Sequence, residues 1–158
     1  GHVTGVQTCA LPIYKNKLFF CALGLFAPGT GLNVFYLKGL GNIWAWAHLV
    51  SLFAGILGWK LLGASDMSSA LGWVLAVAGF VSLEASWLTT IVFGLRPDEK
   101  WDAQFNQDSK QTSNSNWLVI LCVILSLMIG AAVMMTGLAV AFEQHFLSQF
   151  EEARKISQ

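Results

Sequence analysis

Charge is what this chain of 158 residues has least of: nine basic and nine acidic side chains cancel to a formal charge of zero. That balance excludes the basic footprint nucleic acid requires and the acidic excess of a solvating tail. Cysteine is scarce too, with three in all. Cys21 and Cys122 each sit inside an apolar run, where a thiol behaves as a small hydrophobe, and no CxxC pair or clustered histidine accompanies them. Neither a disulfide framework nor a zinc site is expected, nor any other metal or cofactor. Ser-His-Asp, His-Glu-x-x-His and paired-carboxylate patterns are also missing, so the sequence points away from an enzyme.

Apolar surface is what remains in quantity. Hydrophobic residues make up 55% of the chain against 11% charged, more than one soluble core of this size would hide. Hydrocarbon is the expected solvent. Residues 3–13 read VTGVQTCALPI and look like the translation of a sequencing-library adapter, which sets Cys9 and Pro12 aside and puts the start of native sequence near Tyr14.

From there the chain reads as an all-α membrane protein with about four transmembrane helices, at 18–37, 43–62, 70–95 and 117–142. The first run is uncharged over twenty residues, but Pro28, Gly29 and Gly31 interrupt its second half and predict a kink or an early end. Trp44, Trp46, Trp73, Trp101 and Trp117 fall near run ends and read as interfacial anchors. Four crossings bring both termini to one side, and Lys15 and Lys17 beside the first helix favour the cytoplasm.

A polar linker, 96–116, separates the last two runs. Pro97 followed by Asp98 and Glu99 suits a helix opening. A short surface helix with Trp101 and Phe105 on one face and a plain solvated loop both fit, with 107–116 as a flexible connector. Residues 143–158 keep helical periodicity, with Phe142, Phe146, Phe150 and Ala153 along one face, and should prolong the fourth helix as an amphipathic tail.

Between the first two runs lies Gly31-Leu32-Asn33-Val34-Phe35-Tyr36-Leu37-Lys38-Gly39. This segment resembles the signature of the two-transmembrane (TM2) domain family, which pairs two membrane helices through a short turn; the resemblance covers roughly 15–62. The stretch from Pro97 and the ending EEARKISQ also resemble bacterial members with two further helices. The resemblance implies a TM2-type hairpin over 14–62 in a bacterial inner (cytoplasmic) membrane, with Gly31, Asn33, Phe35, Tyr36, Leu37 and Gly39 as the motif. Asn33 and Val34 stand where the family has His-Arg, so no role resting on that cationic pair carries over.

Small residues line three of the runs: Ser51, Gly55 and Gly58; Gly72, Gly79, Ser82 and Ser86; Ser126, Gly130, Gly137 and Ala141. In lipid such stripes let helix backbones approach. His48 and Glu84 are the ionisable candidates. If Asp66 marks the apex between the second and third helices, both lie at one depth and form a candidate intramembrane polar pair. Glu84, however, shares its face with Trp73, Val77, Phe80 and Trp87, nearly opposite the small stripe. Three roles stay open for it: a bonded acid within the bundle, a polar contact to another subunit, or an element of a proton or ion path. The expected partners are the lipid bilayer and other membrane proteins or further copies of the chain. An accessory module working through helix contacts is favoured over a small transporter or channel using Glu84 and His48. The chain should stay with membrane vesicles through alkaline carbonate washing; release into the supernatant refutes the membrane reading.

Overall fold

A computed structural model describes residues 14–158, and the adapter-like stretch 3–13 lies outside the described residues. Six α-helices and no strand occur among the described residues: α1 Lys17–Phe26, α2 Leu32–Lys38, α3 Ile43–Ala64, α4 Ala70–Gly94, α5 Asp98–Phe105 and α6 Trp117–Ile156. Short polar side chains start four of them. Asn16, Asn42, Ser69 and Asn116 each accept a hydrogen bond from a first-turn amide, a cap worth about 1 kcal/mol.

Three helices, α3, α4 and α6, are long and apolar enough to cross a membrane. The expected first span over 18–37 is corrected: it is two short helices, of 10 and 7 residues. The break has a local cause. Pro28 biases Ala27 away from helical geometry, and Gly29 and Gly31 take φ of +76° and +75°, left-handed values that a side chain would strain. The chain then doubles back. Tyr36 Oη accepts a hydrogen bond from the amide of Asn16 at 2.7 Å, and its ring meets Phe19 edge-on at 4.8 Å. Both ends of the 17–38 segment therefore lie at the same end of the bundle, and its tip reaches partway along α4.

α4 is the centre. On one face, α3 runs antiparallel to it through the expected small stripes: a Cβ on Gly55 would fall 2.7 Å from the Gly79 Cα, and one on Gly58 2.4 Å from the Ala76 amide nitrogen. On another face, α6 presents its own stripe to the bulky side chains of α4. Gly130 lies under Trp87 and Glu84, and Gly137 under Phe80. The α1–α2 hairpin fills the remaining side near the C-terminal end of α4, where Phe20, Cys21 and Leu25 join Trp87, Val119 and Cys122 in a buried cluster.

With the 17–38 segment turning back short of a span, Tyr14 sits beside the start of α6 at one end of the bundle and the last turn of α6 lies at the other, where four helices of spanning length would bring both termini to one end. The expected prolongation of the final run holds: α6 is one helix of 40 residues, about 60 Å long and twice a hydrocarbon core of about 30 Å.

The glycine contact gives a paired prediction. Gly79→Val should destabilise the bundle by about 2 kcal/mol through overpacking, whereas Gly63→Val, with open space around its Cβ, should change the unfolding midpoint in mild detergent by far less. Equal effects refute the close packing of α3 on α4.

Candidate functional site

The polar side chains inside the bundle gather on α4 and face two ways. Toward α3 and the hairpin, Ser86 Oγ accepts the Gly29 amide at 2.8 Å. Ser82 Oγ lies 2.8 Å from His48 Nδ1, 3.3 Å from the His48 carbonyl and 3.5 Å from that of Gly29. Thr30 donates its hydroxyl to the Ala27 carbonyl at 2.7 Å, and Trp87 Nε1 reaches the Leu25 carbonyl at 3.4 Å. The broken backbone thus recovers its partners from side chains. Leaving one such group bare costs about 1–3 kcal/mol in a protein interior and more in hydrocarbon.

Toward α6 the picture is different. Glu84 Oε2 approaches Gly130, while Glu84 Oε1 and Ser126 Oγ are buried with no hydrogen-bond partner among the described residues. His48, on α3, meets the Ser82 side of α4, whereas Glu84 points from α4 toward α6, so the two do not meet. His48 is taken by Ser82. The buried Ser82 hydroxyl thus sits between α3 and the tip of the hairpin.

The motif residues line the returning arm of the hairpin. Gly31 passes so close to α3 that a Cβ would meet the Ala45 carbonyl oxygen at 2.3 Å. Asn33 is 2% exposed, directed at Gly24, and its Oδ1 caps the Val34 amide. Phe35 stacks edge-on with Trp46 at 5.1 Å, Leu37 packs on the buried cluster, and Gly39 ends α2 with φ of +77°. Tyr36 also accepts Lys15 Nζ at its carbonyl, 2.7 Å away, with the ammonium 5.0 Å from its ring centre.

A third cluster closes the bundle at the Tyr14 end, and sequence reasoning missed it. Lys17 is 4% exposed; its Nζ donates to the Arg96 carbonyl at 2.5 Å and to Asp98 Oδ1 at 2.6 Å. Trp101, expected as an interfacial anchor, is fully buried instead. It packs on Phe20 and Phe93, with ring centres 5.5 and 6.2 Å away, and donates Nε1–H to the Lys15 carbonyl at 2.9 Å. The short helix expected at Pro97 does form as α5, but its aromatic face turns inward. The connector is tied down, because Asp98 takes the amide and hydroxyl of Ser115, and Asp102 those of Ser113. A charge flanking an apolar run was the one available signal for Lys17.

Burial raises the Asp98 carboxyl, but hydrogen bonds from Lys17 and Ser115 and the Lys17 charge outweigh that and hold it at about 2. Asp102 is lowered as well: burial opposes the shift, and bonds from Ser113 and Asn106 overcome it. Comparison with protein-family models, curated proteins and solved structures returned no match for this chain. The arrangement itself supports a broken-helix hairpin pinned at its tip and its mouth, with one unpartnered carboxylate oxygen between α4 and α6.

Because the folded Asp98 value lies below its ordinary 3.8, its contribution to stability is complete above that value and is lost as pH falls through about 2. Asp98→Asn should flatten that acid limb in a pH series of unfolding midpoints and lower stability near neutrality by about 3 kcal/mol, the scale for stranding a buried charge. An unchanged acid limb refutes the ion pair.

Proposed function

We propose that this is an integral protein of the bacterial inner membrane that serves as an accessory module, binding a helix of another membrane protein. Three helices of spanning length support the membrane placement. With three crossings, Lys15, Lys17, Lys38, Arg96, Lys100 and Lys110 share the Tyr14 end, and Lys60, Arg154 and Lys155 fall toward the other. Six cations against three orient the Tyr14 end to the cytoplasm and carry the end of α6 outside it. The TM2 resemblance of 31–39 agrees with a membrane module and adds no chemistry.

The observation that carries the binding role is the unpartnered end of α6. No residue of that helix beyond Gly130 is buried, and Phe142, Phe146 and Phe150, spaced four apart, are 59%, 63% and 69% exposed. A stripe of exposed aromatic side chains at helical spacing suits a partner helix laid along it. A second reading, a small transporter or channel subunit, draws on the bare Glu84 Oε1 and Ser126 Oγ. His48, on α3, bonds Ser82 on the other side of α4, which leaves that reading without a second ionisable group on the same path.

A photoreactive side chain placed at position 146 in the full chain, in native membranes, should give one discrete adduct that disappears with Phe142→Ser and Phe150→Ser. Absence of an adduct removes the accessory reading. Proton flux into liposomes that is abolished by Glu84→Gln, with the bundle intact, would put the transporter reading in its place.

A further inference from the structure

The hairpin occupies only half the depth of the bundle, and something must fill the other half. Below its tip, on the side toward the α3–α4 turn, lies a cavity of about 350 Å³. Leu52 and Leu83 form its roof; the same two side chains cover Gly29, at 3.5 and 3.1 Å from where its Cβ would stand. Ile56, Ala76 and Phe80 make apolar walls, and Trp59 and Lys60 stand at the mouth. From Leu52 to Lys60 the cavity follows eight residues of α3, about 12 Å of rise, so it opens near the end of that helix, at headgroup level.

We propose that this cavity is a phospholipid site, holding one acyl chain with the headgroup phosphate at Lys60. The proposal rests on the membrane reading above but not on the accessory role. Two features select this occupant. The walls are hydrocarbon-like and too poor in polar atoms to order water, while the surrounding solvent is itself acyl chain. Lys60 is also the sole acid or base among the residues of α3 except for His48, and among the described residues no carboxylate pairs with it. An exposed, unpaired ammonium at headgroup level on a flexible stem is matched by the net negative charge of an anionic lipid. Such a chain would do for the lower half what α1 and α2 do for the upper half: support Gly55, Gly79 and the roof leucines from the open side.

Native mass spectrometry of the full chain released from mixed phosphatidylcholine and phosphatidylglycerol vesicles tests this. One phosphatidylglycerol per chain should be retained. Lys60→Gln should lower that occupancy about fivefold, the scale of one lysine at an anionic surface, and Ala76→Phe, which fills the cavity, should abolish retention of either lipid. Occupancy unchanged in Lys60→Gln overturns the headgroup assignment, and occupancy unchanged in Ala76→Phe overturns the cavity. If Ala76→Phe fails to fold, the cavity is read instead with a cysteine at position 56: chain-to-chain disulfide formation in membranes would show a second copy seated there and overturn the proposal. The photocrosslink at position 146 should be unaffected by Lys60→Gln, which separates failure here from failure of the accessory role.

Discussion

A single hydrogen bond, from the Gly29 amide to the Ser86 hydroxyl, carries the logic of this fold. Hydrocarbon offers no partner to a bare peptide group, so an irregular stretch of backbone survives at membrane depth only where protein supplies one. Ser82, Ser86, Thr30 and Trp87 do so around residues 25–31. Pro28 and the two left-handed glycines break the helix, and these side chains satisfy the backbone groups that the break frees.

The serines serve because of where they sit. They continue the small stripe of α4 that lets α3 approach at Gly55 and Gly79, so one face of one helix does two jobs. Its glycines admit a neighbouring backbone, and one or two turns later its hydroxyls repair another. The opposite face is built on the inverse rule, with Phe80, Glu84 and Trp87 projecting onto glycines of α6. Close approach needs a small residue on one side of each contact, not on both.

The all-helical character, the positions of the three helices of spanning length, α3, α4 and α6, and the packing stripes were legible in the sequence, because apolar length and small-residue spacing are local signals. The interruption at Pro28, Gly29 and Gly31 was legible as well, but its consequence was not. Whether a kinked segment goes on across or returns depends on Tyr36 meeting Asn16 and on Ser86 being within reach, contacts that join residues far apart in the chain. The inward turn of Trp101 escaped for the same reason: tryptophan near a run end looks alike whether it faces lipid or plugs a bundle. The faces taken by His48 and Glu84 were not legible, because they depend on which neighbour α4 turns toward each.

The distance along the chain between Gly29 and Ser86 bears on how the protein is made. Ten residues of α1 are too short to cross by themselves, and the partner of the break lies 57 positions later. At a synthesis rate of 5–20 residues per second, roughly 3 to 11 s pass between the two leaving the ribosome. During that interval the Gly29 amide has no Ser86 hydroxyl to bond, so the hairpin acquires its pinning contact only after α4 has been made.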